Sequence, residues 1–470
     1  MATLDSVLSK LDGTLSVANQ KVSVNDPAKF RDSAIDTLIY TAVFGGDDEK
    51  AVARWLIWET ALELGIYPGS IHELYIARGE GKVRTDFTVP AMNMRALSYH
   101  KAATALRAAH DIKAGALIFE IARSEMGYTD QRPAEYVSSI LAAAIKSGHQ
   151  GPIFIQGDHF QISASRYADN PNAEVAKVKE LSEEAIKAGF YNIDIDTSTL
   201  VDLSQPTLLE QQQLNAELCA DITAFIRGIE PDGITASLGG EIGEVGEKNS
   251  TPEELVAFME RYEQELAKLG DYVGISKISV QTGTSHGGVV LPDGSIADVA
   301  VDFDTLETLS DMARESYGLG GAVQHGASTL PEDAFNKFPE AQAIEIHLAT
   351  GFQNIMYDHP GFPKDLRDRM YGWISDNHKQ GSQTQEQFYY KERKRAIGQF
   401  KQDTWDMDEA AINAIMDSLY EKFSLLFGKL NIKDTAGIVA ETITPVMHHK
   451  SLADFGIVEV EQEDVSDLSD

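Results

Sequence analysis

The sequence predicts a (β/α)8 TIM barrel with extra helices at both ends, on three observations. From residue 87 onward, short apolar runs alternate with longer stretches of helical periodicity, about eight times over. The short runs are apolar nearly throughout, as strands are when both faces are buried. Polar residues able to do chemistry gather where those runs end, the end at which barrels build their sites.

Residues 1–86 are expected to form a helical extension. SAIDTLIYTAVF (33–44) and AVARWLIWETALELG (51–65) carry apolar residues at helical spacing, and Tyr67-Pro68-Gly69 stops the second. The barrel is expected over 87–359. FTVPAMN (87–93) leads to a helix at 96–109, GALIFEIA (115–122) to one at 134–147, and PIFIQGDH (152–159) to one at 173–188. YNIDIDTS (191–198) leads to 208–229, GITASLGG (233–240) to 252–269, and ISKISVQTG (275–283) to 303–317. AVQHG (322–326) leads to a short helix at 331–338, and AIEIHLA (343–349) closes the series. Residues 360–455 read as helices packing outside the barrel, among them YGWISDNHKQ and INAIMDSLYEKFSLLFGKL. The final stretch, 456–470, is an acidic polar tail.

Composition narrows the function. The chain has 470 residues, 43% of them hydrophobic, enough for one large core. Asp and Glu number 73 against 40 Lys and Arg, a formal charge of −33 that repels nucleic acid and anionic membranes alike. Cys219 is the sole cysteine, which excludes an intrachain disulfide and a thiolate metal cluster. The start lacks a basic region followed by an apolar one, and no run reaches the roughly 18 apolar residues of a spanning helix. A cytoplasmic protein is the expectation.

The candidate site assembles from strand ends. Asp158 and His159 follow the third strand, and Asp194, Asp196 and Ser198 end the fourth. Glu241, His286 and His325 follow the fifth, sixth and seventh. Neutral imidazoles with a carboxylate bind zinc and leave a position open for substrate. Gly287 and Gly288 follow His286, and Gly326 follows His325; glycine lets backbone approach a ligand and offers N–H donors to an anion. The remaining histidines, in helices or loops, read as structural, while His347 lies inside the last strand.

At these residues the chain resembles the class II, zinc-dependent fructose- and tagatose-bisphosphate aldolases, over about 87–430. PIFIQGDHF resembles their strand ending in His-x-Asp-His, which implies Asp158 as catalytic acid/base and His159 as first metal ligand. TSHGG implies His286 as a ligand. HGAS implies His325 as another, with the Gly326–Ser328 backbone as a phosphate cradle. LGGEIGEVG implies a ligand role for Glu241, DIDTS places Asp196 at the metal site, and PAMN places Asn93 on substrate.

The chain departs from the pattern at four places. Gln156 replaces the first histidine of the strand motif. The loop after His286 reads GGVVLPDG, without the lysine that holds phosphate. The last strand shows His347 and Ala349 where Asn and Asp or Asn are usual, and Thr350 alone matches. Asn249 falls at the enolising glutamate, leaving that role to Glu244 or Glu247. EIARSEMGYT and QGDHF also resemble the barrel subunits that accompany tagatose-bisphosphate aldolases, and related metal-dependent ketose 4-epimerases. Arg123 would then replace a lost phosphate or carboxylate contact, or pair with Glu125 at the surface.

The resemblance implies reversible aldol cleavage of a ketose (bis)phosphate. The metal would stabilise an enediolate, and Asp158 would carry the proton. It further implies zinc, with cobalt or manganese as alternatives, a sugar or sugar phosphate as the small-molecule partner, a homo-oligomer and a place in carbohydrate metabolism such as glycolysis. Two alternatives stand beside it: ketose, ketose-phosphate or keto-uronate 4-epimerisation by retro-aldol chemistry, and a non-catalytic subunit that stabilises a separate aldolase.

Overall fold

The computed structural model describes residues 2–243, 248–283 and 301–457. Eight parallel strands close on themselves: β1 (Val89–Asn93), β2 (Ile118–Ala122), β3 (Gly151–Gln161), β4 (Asn192–Asp196), β5 (Ser237–Glu241), β6 (Lys277–Val280), β7 (Ala322–Gln324) and β8 (Glu345–Leu348). Each pairs with the next, and β8 returns to β1 with Glu345 opposite Val89 and His347 opposite Ala91. Closure leaves none of the eight barrel strands at an edge, and helices cover the outside, so these strands are buried on both faces. All eight predicted runs land on these strands.

The helices between strands match the periodicity closely. Pro252–Leu269 and Phe303–Tyr317 begin at capping residues, Thr251 and Asp302, whose side chains accept from Glu254 N and Thr305 N. The expected helix at 208–229 is instead two, Leu208–Gln211 and Gln213–Arg227. Buried Gln212 stands at the break, where its amide donates to the Ile242 carbonyl at 2.9 Å. The short helix expected at 331–338 is two single turns, Glu332–Ala334 and Lys337–Glu340.

The N-terminal extension is not purely helical. Leu15–Ala18 and Lys21–Val24 form an antiparallel hairpin turning on Asn19 and Gln20, at φ of 51° and 57°. Positive φ at both central residues suits the right-handed twist of the strands. Ile66–Gly69, read as a helix stop, is a ninth strand pairing in parallel with the first residues of β3. Its proline is tolerated because the strand sits at an edge. The extension also reaches the barrel interior: Tyr75, on the helix His72–Gly79, donates its hydroxyl to Glu345 of β8. Fully buried Arg78 of the same helix donates to the carbonyls of Phe87, Thr85 and Gln342. Toward the C-terminus, Lys364–Asn377 and Glu409–Lys429 are helices, the second packed against the helix Ser98–Asp111. The tail after Ile457 lies outside the described residues.

Candidate functional site

A strand alternates its side chains between two faces, so Asp158 and His159 could not both face the barrel mouth from regular β3. The pairing of β3 with β4 slips between Gly157 and Phe160, and His159 takes a φ of 43°. That bulge aims both side chains at the mouth. A Cβ on Gly157 would lie 2.3 Å from the Phe160 ring, so glycine is required there.

His159 then meets the carboxylates of the next two strands. Its Nδ1 is 2.9 Å from Asp196 Oδ2 and 3.4 Å from Glu241 Oε2. The His325 ring lies 4.3 Å from that of His159, centre to centre, and its Nε2 is 3.0 Å from Ser279 Oγ. His159, Glu241 and His325 each present a donor atom within 4.8 Å of the others. Geometry and donor type therefore fit a divalent ion.

The electrostatics agree. Burial works against charge on His159, but Asp158, Glu241 and Asp196 together hold its pKa well above the ordinary value. Burial, with Asp196 beside it, pushes the Glu241 carboxyl up to about 7. Burial opposes charge on Asp196 too, but hydrogen bonds from His159, Ser198 and Gln161 prevail and hold its carboxyl low. A cation in this pocket would relieve the crowding of negative charge.

Above these groups opens a cavity of about 630 Å³ lined by residues of β2, β3 and β8 and of the loops beyond β1, β2, β3, β7 and β8. Five cations border it, Arg95, Arg123, Arg166, Lys177 and Lys394, of which Arg95 pairs with Glu125 and Arg123 and Arg166 pair with Glu174. Lys394 comes from the C-terminal helices, and burial and the neighbouring Arg95 lower its pKa.

A family model described as fructose-bisphosphate aldolase class-II matches residues 82–426. The chain belongs to the class-II fructose-bisphosphate aldolase family. A fructose-bisphosphate aldolase of Giardia intestinalis is 25% identical over 237 residues, 49% of this chain and 60% of that protein's length. The match thus spans under two thirds of that relative. A crystal structure described as a probable tagatose 6 phosphate kinase from Sinorhizobium meliloti 1021 superposes with a TM-score of 0.51 at 17% identity. It covers 78% of this chain and 97% of that one, and shows a common fold.

Within this aldolase family frame, the structure brings together Asp158, His159, Asp196, Glu241 and His325. His286, Gly287, Glu244 and Glu247 lie outside the described residues. Gly326 adopts a φ of 72° and lines the cavity with Ser328, His347 and Thr350. The Ser328 hydroxyl accepts from the Ala349 amide at 2.7 Å. Arg123 faces the cavity but pairs with Glu174 at 2.7 Å rather than with Glu125. Glu125 is held by Arg95 and by Asn93, which donates to it; Asn93 is 1% exposed and does not line the cavity. The Asn93 Oδ1 has no hydrogen-bond partner among the described residues.

Sequence reading passed over a second set of charges deeper in the barrel: Glu120 on β2, Lys277 on β6 and Glu345 on β8. Lys277 Nζ is 2.8 Å from Asp194 and 2.6 Å from Glu345. His347 Nδ1 is 2.9 Å from Glu120 and 3.3 Å from Asp158, and its Nε2 is 2.7 Å from Glu345. Burial pushes Glu120 up to about 8, against the pull of His347. The signal available was a charged residue inside an otherwise apolar strand, in IFEIA, KISV and EIHL.

Proposed function

We propose that this protein is a metal-dependent aldolase that cleaves a ketose phosphate reversibly. The observation that carries the reading is the bulge in β3, which sets Asp158 beside His159 and faces both toward Glu241 and His325. A divalent ion held by His159, Glu241 and His325, with His286 implied as a further ligand by the family resemblance, would supply Lewis acidity at the substrate's carbonyl and hydroxyl oxygens. Zinc suits the histidine-carboxylate set, as do cobalt and manganese.

The chain's own residues do the rest. Asp158 takes the proton of the C4 hydroxyl as the C3–C4 bond breaks, and returns it in condensation. Asp196 orients His159 through its Nδ1. The rim of Arg95, Arg123, Arg166, Lys177 and Lys394 draws in an anionic sugar. Glu244 or Glu247 handles the proton on the carbon left behind. Zinc-loaded protein is expected to release a triose from a ketose bisphosphate, and Asp158→Asn to lower kcat about 10²–10⁴-fold. An Asp158→Asn protein as fast as the wild type would exclude the assignment.

A second reading is 4-epimerisation of a ketose, ketose phosphate or keto-uronate, in which the same bond breaks and re-forms on the other face of the aldehyde. It is favoured by the phosphate end of the site, where the loop GGVVLPDG lacks the family's lysine and His347 lies among carboxylates. Incubation with fructose, tagatose, their phosphates and the matching uronates separates the two: free triose supports cleavage, and an epimer without triose supports epimerisation. The donor group of His159, Glu241 and His325 speaks for catalysis over a purely stabilising subunit, which needs no metal ligands.

A further inference from the structure

We infer that Lys450 is a carbamylation site, an amine held at the border of a cavity outside the barrel where it reacts reversibly with carbon dioxide. The cavity, of about 430 Å³, lies between the N-terminal extension, the barrel helices Pro133–Ser147 and Pro171–Ala188, and the C-terminal segment. The backbone at Lys450 is pinned. Trp55 and Trp58, on the helix Asp47–Glu63, donate their indole N–H groups to the carbonyls of Lys450 and His448, at 2.7 and 2.9 Å. Glu59 of the same helix accepts from the Lys450 amide at 2.7 Å.

From that fixed point the side chain runs across the Trp58 face, with Nζ 3.4 Å from the ring centre. Nζ donates to the Lys187 carbonyl at 2.7 Å, and among the described residues it makes no ion pair. A carbonyl and an indole face can hold a neutral amine as well as an ammonium, whereas a carboxylate would keep the proton in place. Burial lowers the Lys450 pKa to about 7, against the pull of Asp454 and Glu59. About half of the amine is then neutral near pH 7, and the neutral form is the nucleophile.

The cavity wall selects the electrophile. Lys50 and Arg54 border it; Arg54 also pairs with Glu135 at 3.4 Å, while Lys50 makes no ion pair among the described residues. Of the acids at the same border, Glu184 pairs with Arg132, and Asp454 accepts from the Ser451 amide and hydroxyl; Asp47 is the third. An acyl donor would leave a neutral adduct, which gains nothing from Lys50. Carbon dioxide leaves an anion, which an unpaired ammonium stabilises. The amine lone pair attacks the carbon of carbon dioxide, an N–C bond forms, the opened C=O pair rests on oxygen, and one amine proton leaves to water. The remaining N–H of the carbamate still donates to the Lys187 carbonyl.

The test is to trap the adduct. Full-length protein is equilibrated with isotopically labelled carbon dioxide and bicarbonate near neutral pH, treated with a trialkyloxonium salt that esterifies carbamates, digested, and mapped by mass spectrometry. The labelled ester is expected on Lys450, about tenfold above the exposed Lys21 and Lys379, whose amines are open to water. Lys50→Ala, which leaves the Lys450 amine in place, is expected to lower that labelling several-fold. Labelling of Lys450 no greater than that of Lys21, or undiminished in Lys50→Ala, would overturn the proposal. The wild-type comparison among lysines stands even where the variant fails to fold. Trapping needs no sugar to react, so failure of the aldolase reading and failure of this one are told apart.

Discussion

The ammonium of Lys277 lies 2.6 Å from Glu345, with both side chains sealed inside the barrel at 1% and 0% exposure. Asp194 flanks the same ammonium at 2.8 Å, and the Gln156 side-chain oxygen accepts from it at 2.7 Å. Burial opposes charge on Lys277, but the two carboxylates raise its pKa above the ordinary value. Removing one partner of a buried pair leaves the other uncompensated, at about 3–5 kcal/mol. Lys277→Met is expected to destabilise by that amount in urea unfolding. A change below about 1 kcal/mol would show that the two carboxylates find protons or solvent instead.

Room for this cluster comes from a neighbour without a side chain. A Cβ on Gly239 of β5 would lie 2.4 Å from Asp194 Oδ1 and 3.0 Å from Lys277 Cε. Overpacking a filled interior costs about 1–3 kcal/mol. Gly239→Ala is expected to lose stability on that scale, and Gly81→Ala, with nothing within 4 Å but a φ of 72°, to lose it through backbone strain alone. Combining Gly239→Ala with Asp194→Ala should recover part of the Gly239→Ala loss, measurable as a coupling in a double-mutant cycle.

The barrel was legible because its strands are buried on both faces and its helices carry a clear 3.6-residue period. The strand-end residues were legible because barrel topology brings those ends to one mouth. The bulge in β3 was not, since no local rule marks Gly157–Phe160 as irregular; the slip follows from how β3 pairs with β4. The hairpin at Leu15–Val24 was missed because its strands are four residues each and its turn, Asn19-Gln20, lacks the glycine that usually signals one. Glu120, Lys277 and Glu345 read as isolated charges along the chain. They compensate one another only after the barrel closes, through contacts between β2, β6 and β8.

Asp196 lies 2.9 Å from the Nδ1 of His159, and it also accepts from Ser198 and Gln161. A carboxylate that fixes the orientation of a ligating imidazole raises metal affinity, and its loss typically costs 10–100-fold. Asp196→Asn is expected to weaken zinc binding by about that factor in competition with a chromophoric chelator. Unchanged affinity would mean that Glu241 alone holds the ring.

Acid should unfold this protein through histidines remote from the site. His72 is 8% exposed, its Nδ1 has no hydrogen-bond partner, and burial, aided by the charge of Arg227, lowers its pKa from 6.5 to about 4. His100 and His149 are lowered to about 4 as well, also chiefly by burial. Above pH 6.5 these rings are neutral whether the chain is folded or not, and the native state keeps its full stability. As pH falls below 6.5, the unfolded chain takes up protons that the folded chain refuses, so stability drops until the folded rings protonate near pH 4. For His72 the loss is about 3 kcal/mol across that window. His72→Gln should flatten the slope of unfolding free energy against pH by about one proton between pH 6 and 4.5, measured by urea titration at a series of pH values. An unchanged slope would show that water reaches the His72 ring in the folded state and lets it protonate normally.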